Sequence, residues 1–378
     1  MGRTRAFFVF VAVASISVLL GLHPSSAQPA TGPAASRPAS PAADEAGFVS
    51  MFNGKDFSGW QFGDASYALP TTMPANWKID SGVIRFLKDA KPNLTSQWDY
   101  EDFEARLEWR AMQDNYNSGF YIRSERNSHS NQLNFKKGDE GMLQLPVGKP
   151  KGAKPAPELQ RPLKEWNQWR VLVVGDKLTL WCNGQLAYEA TGVAPARGYI
   201  GLQAEYFPIE WRNIRIKEIG CDGLNDLACW TGKGWKLEGD VLTPGDGAEA
   251  LESKTTDYGD YHLRFEWRQP KEAKGGGIWL RGPKGAKSGF MALGWEESPG
   301  LQPAEGGSGA QPVARPPANP RGQWNYCDVM ISGGKAIVLN SGASQYEGAA
   351  GVVPASGPIG LSPGLEYRNI RITRLPAK

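Results

Sequence analysis

An all-β fold, two antiparallel β-sandwiches of jelly-roll type in tandem, is predicted by three features of the 378-residue sequence. A long internal duplication is present. Charged and apolar side chains alternate with period two inside each copy. Short apolar runs are separated by Gly and Pro turns, and no long segment has helical periodicity.

The duplication is carried by six blocks in constant order. Trp77–Ile84 (WKIDSGVI) returns 158 positions later as Trp235–Leu242 (WKLEGDVL), and Phe103–Arg110 (FEARLEWR) returns as Tyr261–Arg268 (YHLRFEWR). Ser118–Arg123 matches Gly276–Arg281, and Trp166-Asn167 matches Trp324-Asn325, at the same offset. The closing pieces GYIGLQ at Gly198 and GPIGLS at Gly357 follow, then Glu210–Ile216 and Glu366–Ile372. Two copies are too few for a solenoid, so each reads as a complete domain. The expected boundaries are 1–27 leader, 28–45 linker, 46–219 first sandwich and 220–378 second, diverged sandwich.

Within the first copy, Glu104, Arg106, Glu108 and Arg110 alternate with Ala105, Leu107 and Trp109. This is the pattern of a strand covering a core on one face only. Gly175-Asp176 separates two apolar runs as a hairpin turn, and Asn183-Gly184 supplies the next.

Arg3 and Arg5, the uncharged run Ala6–Leu22 and the small residues Ser25-Ser26-Ala27 have the order of a secretory leader, with cleavage expected after Ala27. Residues 28–45, rich in Ala, Pro and Ser, read as a tether. The expectation is an exported protein, periplasmic or extracellular, with no membrane insertion once the leader is gone. A net charge of +3 without a basic stripe argues against nucleic acid as a partner. Cys221 and Cys229, eight apart, have the spacing for a small disulfide loop, whereas Cys182 and Cys327 lie in strand-like runs and read as buried thiols.

The run Phe48–Trp60 (FVSMFNGKDFSGW) closely resembles the opening of the 3-keto-disaccharide hydrolase family. The likeness continues through the DFEARLEWR strand, Asn117-Ser118-Gly119 with Arg123, Trp166-Asn167 and the closing GLQ and RNIRI pieces. It is strong over 47–219 and weak over 220–375. It implies a concanavalin A-like lectin/glucanase fold and a carbohydrate or glycoside ligand. The activity it implies is a hydrolase of 3-keto-glycosides working by C2 proton abstraction, elimination and hydration. Family members usually carry a glutamate and an aspartate where this chain has Ser130 and Phe135, and the second copy has Gly275-Gly276-Gly277 in place of Asn-Ser-Gly.

Such chemistry needs a general base, together with hydrogen-bond donors or a divalent metal ion for the enolate oxygen. No other cofactor is implied. The catalytic candidates are Glu205, His129 and Arg123. Glu205 is a carboxylate base or a solvated turn residue, and His129 is a base, a metal ligand or a loop histidine. Arg123 is a donor to substrate or a structural partner of Glu108 or Glu104. Asn117, Gln132, Glu108, Arg110 and Gln203 are the substrate-binding candidates. His262 and the tryptophans Trp166 and Trp324 read as structural first. The alternative to an enzyme is a lectin-like glycan-binding protein or a structural envelope module.

Overall fold

The computed structural model describes residues 47–63, 73–89, 92–125, 131–282, 284–285, 289–293, 319–333, 335–340, 343–349 and 353–375. Gly47–Lys378 form one compact unit. Among the described residues the chain is almost wholly strand and turn, and each repeat is a pair of antiparallel sheets.

In the first repeat the larger sheet has the order Gln185–Thr191, Lys177–Cys182, Asn167–Val174, Phe103–Ala111, Ile209–Glu218, Val83–Phe86, Trp77–Asp80, with Val49–Ser50 pairing on Ile209–Glu218. The smaller sheet runs Trp60–Phe62, Leu94–Tyr100, Gly198–Leu202, Gly119–Ser124, Gln132–Asn134, Leu143–Gln144. The second repeat builds the same order. Its larger sheet centres on Tyr261–Arg268 between Trp324–Ser332 and Glu366–Arg374, and its smaller sheet pairs Leu251–Ser253, Gly360–Leu361 and Gly276–Trp279 in turn.

The period-two reading of Phe103–Ala111 holds. Ala105, Leu107 and Trp109 are buried in the core between the sheets, while Arg106, Glu108 and Arg110 are half-buried on the outer face. Both hairpins also form where the turn residues place them. Val174 pairs with Lys177 across Gly175-Asp176, and Cys182 pairs with Gln185 across Asn183-Gly184. Asn183 and Gly184 both have positive φ, 52° and 83°, the left-handed pair that a two-residue turn of matching twist requires.

The first core is dominated by aromatics. Trp77 stacks on Trp211 at 5.8 Å between ring centroids, and Phe135 packs at 4.6 Å from both Trp109 and Trp169. Such rings supply large buried area together with a few tenths to about 1.5 kcal/mol per pair from ring geometry.

Cys221 and Cys229 are free thiols, so the disulfide loop that their spacing suggests is not present. Cys221 belongs to the strand Cys221–Gly223, paired opposite Thr373, while Cys229 ends the short 3-10 turn Leu227–Cys229, and each turns its sulfur to a nearby backbone carbonyl. Cys182 and Cys327 are buried free thiols. No helix of the described residues is long and apolar enough to cross a membrane.

The two sandwiches meet through polar and aromatic contacts. Arg264 of the second repeat donates to the main-chain oxygen and the carboxylate of Asp99 in the first. Tyr326 accepts from the Gly59 amide at 2.7 Å and meets Trp98 edge-on at 5.7 Å.

Candidate functional site

The smaller sheet of the first repeat turns one face into the core through Leu94, Phe120, Ile122, Leu133 and Leu202. Alternation then puts their neighbours on the opposite face. Direct cross-strand partners define a row across it: Gln61, Thr95, Gly201, Tyr121, Gln132 and Gln144. Five of these six side chains are polar, unusual for a surface of which so much is buried.

Two glycines create the room for this row. A Cβ on Gly201 would lie 2.9 Å from the Tyr121 ring, and one on Gly119 would lie 2.5 Å from the Gln132 side chain. Tyr121 and Gln132 therefore lie down over glycine instead of standing up from the sheet.

Around them is an amide cluster with one carboxylate at its edge. Gln132 Nε2 donates to Asn134 Oδ1 at 2.9 Å and to Gln203 Oε1 at 3.1 Å, and Ser118 Oγ donates to the Gln203 carbonyl at 2.8 Å. Asn117 Nδ2 donates to Glu205 Oε1 at 2.8 Å, which fixes the half-buried carboxylate at the end of the strand Gly198–Leu202. Asn134 is buried, and its Nδ2 has no hydrogen-bond partner among the described residues. Burial raises the Tyr121 hydroxyl far above its ordinary value, and the Glu205 charge adds to this against a hydrogen bond with Asn93. Tyr121 thus remains a protonated donor at neutral pH. Oriented amides, a phenol and a carboxylate make up the equipment for binding sugar hydroxyls and for taking one proton.

A family model described as the 3-keto-alpha-glucoside-1,2-lyase-like domain matches residues 47–217 and, separately, 221–373. The chain belongs to this family. It is a carbohydrate-active protein with two 3-keto-alpha-glucoside-1,2-lyase-like domains, and a carbohydrate is its ligand class. Solved structures similar to single repeats include a protein of Parabacteroides distasonis provisionally described as a glycosyl hydrolase. It shares 16% identity with a TM-score of 0.36, over 46% of this chain and 94% of that one. The carbohydrate-binding module CBM66 from Bacillus subtilis shares 12% identity with a TM-score of 0.32, over 42% and 96%. A prokaryotic β-1,3-1,4-glucanase (lichenase) from a mouse hindgut metagenome shares 11% with a TM-score of 0.32, over 46% and 98%. No curated protein sequence matches.

Of the residues singled out from the sequence, Asn117, Gln132, Gln203 and Glu205 come together on this face of the first domain. Arg123 does not join them. Its fully buried guanidinium reaches the end of the sandwich, donating to Glu101 O at 2.6 Å, Gly175 O at 2.5 Å and Asp102 Oδ1 at 2.8 Å. Glu108 and Arg110 lie on the outer face of the other sheet. There Glu108 accepts from Arg212 and Asn213, Arg110 pairs with Glu210, and Trp166 is held between Arg110 and Arg212. His129 and Ser130 lie outside the described residues.

Phe135 is a core residue, so position 135 faces away from the amide cluster, and an aspartate there would meet Trp109 and Trp169. Glu140, in the loop that follows, is buried and engaged by the Tyr116 hydroxyl and the Gly138 amide. Among the described residues no three His, Cys, Asp or Glu side chains converge as metal ligands.

The second domain has lost the cluster position by position. Trp279 and Phe290 occupy the places of Tyr121 and Gln132, with ring centroids 4.8 Å apart, and Ser362 stands for Gln203. Gly275 and Gly364 replace Asn117 and Glu205, and a Cβ on Gly364 would lie 2.3 Å from the Gly275 carbonyl. Sequence reasoning missed Tyr121, Asn134 and Asn93. The readable signal was the placement of Gly119 and Gly201 beside alternating polar residues.

Proposed function

We propose that the first domain cleaves 3-keto-glycosides, with Glu205 as the base. The ketone at C3 acidifies the C2 hydrogen, and the Glu205 carboxylate takes that proton as the C–H electron pair moves toward the C3 oxygen. The enolate then expels the aglycone oxygen from C1, forming the C1–C2 double bond and restoring the carbonyl. The aglycone leaves with the proton returned by Glu205. Water adds across the double bond, hydroxyl to C1 and hydrogen to C2, so the net change is hydrolysis.

Asn134 Nδ2 and the protonated Tyr121 hydroxyl are the donors we assign to the enolate oxygen, where charge develops. Gln132 and Gln203 hold the sugar hydroxyls, and Asn117 orients the base. The observation that carries this reading is the Asn117–Glu205 bond at the margin of the amide cluster, in a chain of this family. His129 keeps its candidacy as an additional base. The proposal includes action outside the cytoplasm, on the strength of the leader-like order of residues 1–27.

The amide-rich face also favours a second reading, a lectin-like domain that binds glycans without turnover. One assay separates the two. The protein is given a 3-keto-disaccharide and its non-oxidised parent, and released sugar is measured. Release from the keto substrate alone, lost in Glu205→Gln, supports the enzyme. Binding of both sugars with release from neither supports the lectin.

A further inference from the structure

The second domain lacks the amide cluster, yet it builds one wall of a different cavity. The outer face of its larger sheet covers the Asp99 end of the first domain's smaller sheet, and a cavity of about 260 Å³ lies between them. A water's share of the liquid is about 30 Å³, so the space is that of a ring-sized organic group.

The second-domain wall is a lattice of cross-strand partners. One row is His262, Met330 and Ile337, and the next is Arg264, Asp328 and Leu339. Polar and apolar side chains therefore alternate over a few ångströms. Met330 is exposed and Ile337 and Leu339 are half-buried, so apolar surface faces the space. The opposite wall is aromatic and polar, with Trp98, Tyr199 and Asp99. Trp98 is 8% exposed, and its indole N–H has no acceptor among the described residues.

The charges on the walls are already met from within. Asp99 is paired with Arg197 at 2.7 Å and with Arg264. Asp328 is bonded by His262 and faces Arg264 at 3.4 Å. His262 Nε2 is met by both the Asp328 carboxylate and, at 3.3 Å, Arg264 Nε. His262 Nδ1 has no partner among the described residues. An anion or cation entering would find no unmatched counter-charge. A lipid tail would bury the ionic row unsolvated. An uncharged group with both C–H faces and hydroxyls matches the walls, and that is the chemistry of a glycosyl unit.

We propose that this inter-domain cavity is a second sugar site, taking one uncharged glycosyl unit against Trp98 and Tyr199 on one side and the His262–Met330–Ile337 row on the other. Its identification as a sugar site rests on the carbohydrate ligand class of the family. It is distinct from the amide cluster. Tyr199 lies four residues before Gln203, about 13 Å along a strand that rises roughly 3.3 Å per residue.

The test uses the full chain and a defined probe set, methyl α-glucoside, trehalose, sucrose and maltotriose, with binding read by calorimetry and saturation-transfer NMR. Met330→Trp fills the cavity from an exposed position, and His262→Ala removes its polar corner. The expected result is binding of at least one probe, weakened tenfold or more by Met330→Trp and by His262→Ala and unchanged in Trp166→Ala, whose ring lies on the outer face of the first domain's larger sheet. Binding by Met330→Trp equal to wild type, or binding abolished by Trp166→Ala, overturns the site. So does the absence of binding for the whole set. Turnover of the 3-keto-disaccharide is scored separately, so a protein that binds probes here without turnover counts against the proposed function and not against this site.

Discussion

Arg123 donates to Asp102 at 2.8 Å, and the second domain repeats the contact between Arg281 and Asp260 at 2.9 Å. Both arginines have left-handed backbone, φ 43° and 57°, and both lie against a glycine, Gly198 or Gly357, whose Cβ would overlap their main chain. Each aspartate also accepts from the amide of a hairpin glycine, Gly175 or Gly333. The duplication therefore carries a clamp that ties the two sheets of each sandwich at one end. It persists in the domain that lost the amide cluster, which separates its role from binding.

The clamp predicts that Arg123→Ala is a stability variant. The guanidinium is fully buried while the Asp102 carboxylate is about a third exposed, so the substitution leaves no buried charge behind but removes three hydrogen bonds of a charged donor, a cost of about 1–3 kcal/mol. The loss should appear as a lower denaturation midpoint, while the kcat of the folded fraction on a 3-keto-glycoside stays near wild type. Gly198→Ala should act in the same direction by pushing on the Arg123 backbone. A folded Arg123→Ala protein with unchanged stability and no turnover would move Arg123 into the catalytic site.

Gly201 offers the opposite signature. A methyl there meets the Tyr121 ring at 2.9 Å and its Cβ at 3.2 Å, and the backbone at Gly201 is not left-handed. Gly201→Ala should fold, with an overpacking cost of about 1–3 kcal/mol, and displace Tyr121 from the amide row. The expected readout is a loss of turnover or sugar affinity of tenfold or more, larger than the stability change accounts for at a temperature where the protein is folded.

What the sequence made legible follows from the range of its signals. Strand periodicity and turn residues act over a few positions, so Phe103–Ala111 and both hairpins of the first domain were readable. The repeat offset then extended that reading to the second. Assigning a polar residue to a site needs to know which of two sheets its strand enters. Glu108 and Glu205 look alike as strand carboxylates, yet they sit on opposite outer faces of the sandwich. The Arg123 partner was misjudged for a related reason. Asp102 is a turn residue at the sandwich end, and a left-handed arginine reaches it only because Gly198 leaves space. Packing between the repeats, with Trp98 under Tyr326, has no local pattern at all.

Trp166 tests the division between faces. Its ring lies between the guanidinium groups of Arg110 and Arg212, at 4.4 and 4.1 Å, and Trp324 repeats the arrangement with Arg268 and Arg368. Each such contact is worth about 0.5–1 kcal/mol at a partly exposed position. Trp166→Ala should therefore lower stability by roughly 1–2 kcal/mol and leave glycan binding and turnover unchanged, measured by denaturation and by the keto-sugar assay. A selective loss of glycan binding would put a sugar platform on the larger sheet.

Glu104 makes a pH prediction. Desolvation pushes its carboxyl upward, but hydrogen bonds and charge from Arg170 and Arg106 outweigh this, and the net position is below the ordinary value. A carboxylate depressed in the folded state binds its proton more readily in the unfolded chain. Its contribution to stability is complete above the unfolded value, about 4.3, and fades as pH falls through the lower folded one. Wild-type stability should therefore drop with acidification below about pH 4, and Glu104→Gln should be less stable at pH 7 while showing a shallower acid slope. At the matching position the second domain has His262, bonded to Asp328, so the effect belongs to the first sandwich. Denaturant midpoints of the two proteins between pH 3 and pH 7 decide it: parallel curves would mean that Glu104 is not held below its ordinary value.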